Sequence, residues 1–203
     1  NEWGITGVDN ISKCLWRSSY DQNHYKIRMN TNQQYDQAIE GCKTIFLQKT
    51  KDYGTSWRVY RTISVADQIY IKAKRIRTIQ EAGTQKIGDD VISEFKGILN
   101  YGIIGLIQLD IKDDELEDLD YETVEKLYTE KVSIAKKLML DKNHDYGEAW
   151  REMSQESFVD LILAKILRIK QILINKGKTI ISEGIDANYH DIINYAVFAL
   201  ILM

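Results

Sequence analysis

The sequence predicts an all-α protein made of two tandem three-helix repeats that pack as one pseudo-twofold helical bundle. Proline is absent from all 203 residues, which favours helices over loop-rich β architectures. Apolar residues recur at helical spacing, and no long stretch alternates with the period of a β-strand. A third observation, an internal repeat, sets the expected number of helices at six.

The internal repeat is clearest where residues 49–58 return as residues 142–151, an offset of 93. Between residues 49–79 and 142–172, 13 of 31 positions are identical, and a one-residue insertion then shifts the offset to 94. Such self-similarity indicates a tandem duplication. The expected organisation is an N-terminal extension outside the core (1–28), a first copy (29–109), an acidic linker (110–120) and a second copy (121–203).

The first two helices of each copy follow from periodicity and from capping residues. Apolar side chains at helical spacing predict the first helix over residues 33–48 and 122–140. The second helix is predicted over residues 64–82 and 157–176. Serine is a favourable N-cap and glycine a common C-terminal stop, so these roles are assigned to Ser64, Ser157, Gly83 and Gly177.

The third helix of each copy, predicted over residues 89–109 and 183–203, becomes apolar almost all round towards its C-terminal end. A helix of this kind lies in the middle of a bundle. The apolar stretches, 98–109 and 192–203, hold twelve residues each. A bilayer requires roughly 18–20. We therefore expect buried core helices that lie near each other, and no membrane partner.

The charge and cysteine content exclude two classes of protein. The 27 basic and 30 acidic residues give a net charge of −3, which argues against strong nucleic-acid binding because no cationic surplus exists to neutralise a phosphate backbone. The two cysteines, Cys14 and Cys42, form neither a disulfide framework nor a zinc-ligand pattern. We expect a cytoplasmic protein, and the sequence leaves a homo-oligomer open.

Asp-Tyr-Gly followed by Trp occurs in both copies where the first helix must end. In a structural interpretation the glycine permits a left-handed turn, Asp145 and its counterpart cap backbone amides, and the tryptophan anchors the turn. In a functional interpretation Asp145 contacts a ligand or a metal ion, and the aromatic residues form a platform for a base. The aromatic candidates are Tyr53, Trp57, Tyr146 and Trp150.

Two cations share one face of each second helix, three residues apart: Lys72 with Arg75, and Lys165 with Arg168. A lysine and an arginine so placed either grip a phosphate group or form a solvated cationic stripe. Asp160 lies five residues before Lys165, about 140° round the helix, so an ion pair between these two is not expected.

The start of the third helix differs between the copies. In the second copy Glu183, Asp186 and His190 follow at i, i+3 and i+7, a good spacing for converging metal ligands, and Asp191 and Asn194 form another pair. A carboxylate and an amide on a buried helix are costly unless paired, so they either hold a metal ion or form a polar layer that docks the copies. The first copy has at these positions Asp89, Ile92, Lys96, Gly97 and Asn100.

These motifs together resemble the first nucleotide-modification-associated domain family, which occurs in bacteria and phages. The pattern is Asp-Tyr-Gly-x-x-Trp, then Asp-x-x-x-x-Lys-x-x-Arg-Ile, then Asp-x-x-Asn-Tyr-Ala. The second copy matches throughout, and the first departs at Gly97, where the aspartate is missing. The resemblance covers nearly everything after Met29 and implies a role in nucleotide metabolism or modification, with a nucleotide or nucleoside phosphate as the partner.

A weaker resemblance concerns mechanism. Asp191-Ile-Ile-Asn194 followed by an apolar helix is similar to the Glu-x-x-Asp of the all-α nucleoside triphosphate pyrophosphatases of the MazG and dimeric dUTPase type. In those enzymes carboxylates hold Mg²⁺ on the triphosphate while a water attacks phosphorus. This sequence departs from their pattern because Asn194 replaces an aspartate and the second helix carries no Glu-x-x-Glu pair.

We therefore expect a nucleotide-binding protein and, as a finer hypothesis, a Mg²⁺-dependent nucleotide hydrolase or modifier with one composite site. The alternative is a non-catalytic helical scaffold whose repeated motifs only dock the copies. In the first hypothesis Asp191→Asn abolishes Mg²⁺-dependent binding and leaves the fold intact. The residues assigned to that site are, as catalytic groups, Asp160, Asp191 and Asn194; as metal ligands, Asp145, Asp160, Glu183, Asp186 and Asp191; as substrate contacts, Tyr146, Trp150, Lys165, Arg168, Tyr53, Trp57, Lys72 and Arg75.

Overall fold

Six α-helices and two short 3₁₀ helices form in the computed structural model, which describes residues 30–84, 90–111, 118–180 and 183–203. Within these ranges there is no strand, so the predicted all-α class is confirmed. The expectations for the extension 1–28, for Asp89 and for the linker residues 112–117 lie outside the described residues. The α-helices are α1 (Thr31–Tyr53), α2 (Thr62–Ala82), α3 (Val91–Asp110), α4 (Tyr121–Tyr146), α5 (Gln155–Ile174) and α6 (Ile185–Leu202), and the 3₁₀ helices Ser56–Val59 and Ala149–Glu152 follow α1 and α4.

The starts of the second helices differ from those predicted. Helix α5 begins one turn upstream of the serine chosen from the sequence, because the Ser154 hydroxyl accepts a hydrogen bond from the backbone N–H of Ser157 and so caps the helix. Helix α2 begins at Thr62 after Arg61, whose side chain makes no capping bond. The N-cap assignments for Ser64 and Ser157 were therefore wrong, because both serines lie inside the first turn.

The ends of the first helices lie further along the chain than predicted. Helix α1 continues to Tyr53 and α4 to Tyr146, whereas apolar spacing had placed their ends at residues 48 and 140. The last turn of each helix is largely solvent-exposed, so it carries no apolar periodicity to detect. The stop at Gly83 is confirmed: it adopts the left-handed conformation, with φ 65° and ψ 5°, directly after α2. Helix α5 instead ends at Ile174, three residues before Gly177.

Helices α3 and α6 pack against each other at the centre of the bundle, as predicted for the two third helices. Glycine lets their backbones approach closely. A Cβ atom added at Gly105 would lie 2.5 Å from Cζ of Tyr189, and one added at Gly102 would lie 2.8 Å from Cγ1 of Ile193. Side chains from both copies contribute to one continuous core. None of the described helices is long and apolar enough to span a membrane.

The two copies hold each other through the same hydrogen bond made twice. The hydroxyl of Tyr35 on α1 donates to the side-chain oxygen of Asn194 on α6, at 2.9 Å. The hydroxyl of Tyr128 on α4 donates to the side-chain oxygen of Asn100 on α3, also at 2.9 Å. The tyrosines are related by the offset of 93 and the asparagines by the offset of 94. Such an exchange of partners between copies is what a pseudo-twofold axis produces.

Helices α2 and α5 repeat this exchange with ion pairs. Asp67 of the first copy binds Lys170 of the second at 2.6 Å, and Asp160 of the second copy binds Arg77 of the first at 3.5 Å. Both the acids and the cations are related by the offset of 93. The repeated aspartate of the second helix therefore contacts the other copy, and no pair with the lysine five residues later forms.

Candidate functional site

The Asp-Tyr-Gly segments form two nearly identical turns. Gly54 has φ 63° and ψ −149°, and Gly147 has φ 62° and ψ −156°, a backbone region open essentially to glycine alone. Each glycine directly follows the last tyrosine of its helix. Asp145 lies inside the last turn of α4, where its exposed carboxylate contacts His144, so it does not cap backbone amides as the structural interpretation expected.

The two repeated tryptophans anchor these turns in the core. The Trp150 ring stacks on Phe198 with centroids 4.3 Å apart and planes 6° from parallel. The Trp57 ring lies 6.3 Å from Phe46. Only about 6–7 % of either tryptophan is exposed. The structural interpretation of these residues is thus supported, although Trp57 also borders open space.

That open space is a cavity of about 460 Å³ in the first copy. Every residue that lines it belongs to α1, the following 3₁₀ helix and its flanking loop, α2 or α3. We call it the first-copy cavity. Its charged lining residues are Lys49, Lys72, Lys96 and Glu94, its aromatic lining residues are Phe46, Tyr53, Trp57, Tyr60 and Tyr101, and its polar side chains include Gln68, Ser93 and Asn100.

Three tyrosines lie close together on the aromatic side of this cavity. The Tyr60 and Tyr101 rings have centroids 6.4 Å apart. Burial raises the pKa of Tyr101 to about 12, and the neighbouring Tyr60 and Tyr53 hydroxyls add to the shift. Tyr53 is 57 % exposed at the rim. The cavity therefore presents aromatic surface together with hydroxyl groups.

The cationic side of the cavity is only partly neutralised. Glu94 on α3 is 6 % exposed, and its two carboxylate oxygens bind Lys72, at 3.0 Å, and Arg75. The predicted phosphate-gripping pair of α2 is thus engaged by a carboxylate. Lys49 and Lys96 also line the cavity, and neither makes an ion pair with any residue that the structure describes.

The corresponding position in the second copy holds an internal ion cluster. Asp191 Oδ1 lies 2.6 Å from Lys142 Nζ, and Asp191 Oδ2 lies 2.5 Å from Lys165 Nζ. Burial alone would raise the pKa of Asp191, but the hydrogen bonds from the two lysines outweigh it and leave that pKa below its ordinary value. Since removing one partner of a buried ion cluster leaves uncompensated charge, Asp191→Asn is expected to cost stability, contrary to the sequence-based expectation of an intact fold.

Asn194 belongs to a polar layer between the copies. Its side-chain oxygen accepts from Tyr35, and its side-chain nitrogen donates to the Ala135 carbonyl at 3.1 Å. In the same way, the side-chain oxygen of Asn100 accepts from Tyr128, and its side-chain nitrogen donates to the Cys42 carbonyl. The amide of Asn194 therefore already has partners for both ends, as the docking interpretation of this residue requires.

The predicted metal ligands do not converge. Helix α6 begins at Ile185, so Glu183 precedes it and the expected stripe with Asp186 and His190 does not form. Asp160 faces Arg77 on the other copy, and both oxygens of Asp191 bind lysines. Among the described residues no group of three or more histidine, cysteine, aspartate or glutamate side chains is arranged to hold a metal ion. The donor set thus does not fit the expected Mg²⁺ ion.

The remaining predicted contacts of the second copy are dispersed. Tyr146 is 78 % exposed. Arg168 and Glu183 border another cavity, of about 510 Å³, whereas Lys165 turns to Asp191. Trp150 lies in the core. The structure therefore gathers three of the four candidates of the first copy, Tyr53, Trp57 and Lys72, in one cavity and does not gather those of the second.

Sequence reasoning missed several residues of the first-copy cavity. Lys49 is the first residue of the repeated segment and returns as Lys142, so the repeat itself contained a signal for it. Glu94 corresponds to Asn188, and Tyr60 to Met153, so the repeat carried no signal for these two. Lys96 corresponds to His190 and was noted only as a departure from the acidic pattern of the second copy.

Comparison with known proteins identifies one family. The model described as nucleotide modification associated domain 1 matches residues 49–109 and 142–203, one segment in each copy. Together the two segments span more than half of the chain, as expected for a tandem duplication. No curated protein and no solved structure matches the chain.

Proposed function

The chain belongs to the nucleotide modification associated domain 1 family, and on that premise we propose that it binds a nucleotide or nucleoside phosphate in the first-copy cavity. The observation that carries the proposal is the chemistry of the lining: aromatic rings and two lysines that make no ion pair with any described residue share one open space. A volume of about 460 Å³ lies within the range of small-molecule sites.

The aromatic side suits a nucleobase. Aromatic side chains stack on any base because every base has a π-face, and each such contact contributes about 1–3 kcal/mol. Tyr53, at the rim, and Tyr101, deeper in the cavity, are the rings that we assign to this role. Because burial raises the pKa of Tyr101 to about 12, its hydroxyl remains protonated at neutral pH, and a phenolic hydroxyl can both donate to and accept from a base or a sugar.

The cationic side suits a phosphate. Three lysines and one glutamate line the cavity, which leaves two positive charges there. Arg75, which does not line the cavity, also binds that glutamate, Glu94. A phosphate monoester carries about −1.5 to −2 charges at neutral pH, which matches this excess. We assign all three lysines to the ligand. Lys49 and Lys96 make no ion pair with any residue that the structure describes, and Lys72 shares the single charge of Glu94 with Arg75.

The proposal covers binding and derives no step through Mg²⁺, because the described carboxylates do not fit the ion. Hydrolysis by a Mg²⁺-dependent mechanism remains the prediction of the sequence resemblance. Measuring phosphate release from nucleoside triphosphates with and without Mg²⁺ tests it separately. Release that depends on both the ion and the Asp191 carboxylate would support the composite site predicted from the sequence.

The duplication supplies a matched control for binding. Tyr53 and Tyr146 end equivalent helices before equivalent glycines, but only Tyr53 lines the cavity. Titration calorimetry with nucleoside mono-, di- and triphosphates on the wild type should give one bound nucleotide per chain. Tyr53→Ala should weaken the affinity by about tenfold, in line with one lost stacking contact. Tyr146→Ala should leave it unchanged.

The non-catalytic scaffold is the competing function. Saturating concentrations of a ligand stabilise the folded state, so the wild type should melt at a higher temperature with a binding nucleotide than without. Absence of a thermal shift and of calorimetric heat with every nucleotide would favour the scaffold. Equal losses of affinity for Tyr53→Ala and Tyr146→Ala would place the ligand outside the first-copy cavity.

A further inference from the structure

The second copy contains a built-in anion. The carboxylate of Asp191, 8 % exposed on α6, lies between Lys142 on α4 and Lys165 on α5. Each of its oxygens binds one ammonium group. Three helices of one copy thus meet at a single negative charge.

The first copy has the same two lysines without that anion. Lys49 corresponds to Lys142 and Lys72 to Lys165, while Gly97 stands where the second copy has Asp191. Both lysines and the glycine line the first-copy cavity. A Cβ atom added at Gly97 would lie 2.8 Å from Cε and 3.2 Å from Nζ of Lys72. The Lys72 side chain therefore lies directly over Gly97, in the space where a side chain at this position would begin.

From this difference the geometry points to a phosphate subsite in the cavity beside Gly97, between Lys49 and Lys72, in which a phosphate group of the ligand binds the two lysines whose counterparts hold the Asp191 carboxylate in the second copy. In the second copy the site is thus occupied by the side chain of Asp191, whereas in the first copy it is open to an external anion. The inference deepens the proposed function and rests on it for the nucleoside part of the ligand alone.

Charge favours a phosphate over a carboxylate at this place. In the second copy a single carboxylate satisfies two lysines. In the first copy the same two lysines are joined by Lys96, and the nearby Glu94 shares its charge between Lys72 and Arg75. An anion with nearly two charges and three acceptor oxygens balances this set better than a carboxylate does.

Exchanging the residues at the two related positions tests the subsite. Inorganic pyrophosphate serves as the probe, measured by titration calorimetry on the full chain. Gly97→Asp supplies an internal carboxylate to Lys49 and Lys72, and it should weaken pyrophosphate binding at least about tenfold relative to Gly97→Asn. The asparagine variant controls for side-chain volume without the charge. Equal affinities for the two variants would overturn the inference.

The reverse exchange should create a site. Asp191→Gly removes the internal anion and frees Lys142 and Lys165, so the number of pyrophosphate ions bound per chain should rise from one to two. A folded variant that still binds one would contradict the inference. If either variant fails to fold, as judged by circular dichroism, Lys49→Met tests the subsite instead. It should weaken pyrophosphate binding at least about tenfold, whereas Lys74→Met, exposed on α2 outside the cavity, should not.

The two proposals fail differently. If pyrophosphate binds and Gly97→Asp blocks it, but no nucleotide binds, the subsite stands and nucleotide binding is refuted. If nucleotides bind equally well to the wild type and to Gly97→Asp, nucleotide binding stands and the subsite is refuted.

Discussion

The hydroxyl of Tyr35 reaches across the bundle to the side-chain oxygen of Asn194, 2.9 Å away and 159 residues later in the chain. The bond is buried and has a counterpart, from Tyr128 to Asn100, with the copies exchanged. The tyrosine in the N-terminal third of each first helix therefore serves the interface between the copies, and so does the asparagine of each third helix.

Tyr35→Phe should destabilise the fold, because it leaves the buried oxygen of Asn194 with one partner fewer. The expected loss is about 1–3 kcal/mol of unfolding free energy, and Tyr128→Phe should give a similar or smaller loss, since its bond is only partly buried. Urea denaturation measures both. Tyr146→Phe, at an exposed site, is the control, and an unchanged midpoint for Tyr35→Phe would contradict the docking role.

Gly147→Ala should destabilise the protein by about 1–3 kcal/mol through backbone strain alone. The residue has φ 62°, and an added Cβ atom would meet nothing within 4 Å, so no steric clash contributes. Gly41→Ala, inside α1 and with its nearest contact at 4.0 Å, should instead be neutral or stabilising. Thermal melts of the two variants that shift in the same direction would refute the strain argument.

Gly105→Ala should destabilise the contact between α3 and α6, because the new methyl group would lie 2.5–2.8 Å from the ring of Tyr189. A loss of about 1–3 kcal/mol is typical of overpacking. Tyr189→Leu removes the ring, so the double variant should lose less stability than the sum of the two single variants. Strict additivity in urea denaturation would show that the glycine is not there to accommodate the tyrosine.

Asp160→Asn distinguishes the predicted catalytic role of this residue from a role in docking. Its carboxylate is largely exposed and binds Arg77 at 3.5 Å, so the variant should lose no more than about 1 kcal/mol of stability. Nucleotide affinity in the first-copy cavity should be unchanged. Loss of nucleotide binding or turnover in this variant, with the fold retained, would restore Asp160 to the functional site.

Protonation of His190 should reduce stability as the pH falls. Burial is the main reason that the pKa of His190 lies below its ordinary value; the nearby Lys131 and Lys142 add to this, while Asp186 and Asp191 act in the opposite direction. The unfolded chain therefore takes up the proton more readily than the folded one. The stability that the neutral His190 side chain contributes is fully present above the ordinary histidine pKa of about 6.5, and this contribution is lost as the pH falls below that value. The melting temperature of His190→Gln should therefore change less between pH 7 and pH 5 than that of the wild type. Parallel profiles of melting temperature against pH for the two proteins would contradict this.

The helices, the duplication and the glycine turns were determined by the sequence itself. Helical periodicity and the absence of proline are local properties of the sequence, and the repeat is found by comparing the sequence with itself. Each can therefore be recognised without coordinates. The family resemblance rested on the same repeated residues and is confirmed. Where the prediction failed locally, the deciding feature was the Ser154 capping bond for Ser157 and a solvated last turn for the ends of α1 and α4, whereas no capping bond explains why α2 begins before Ser64.

Only the tertiary structure decided which charges meet. Lys72 turns to Glu94, Lys165 to Asp191, and Asp160 to the opposite copy, although the two lysines occupy equivalent positions in the repeat. In the sequence, Gly97 marked the copy that had lost an acid. In the structure, the missing side chain contributes to an open cavity, whereas the retained Asp191 is neutralised by lysines. The reason is physical: an ion pair depends on the distance between side chains of different helices, and helix packing sets that distance.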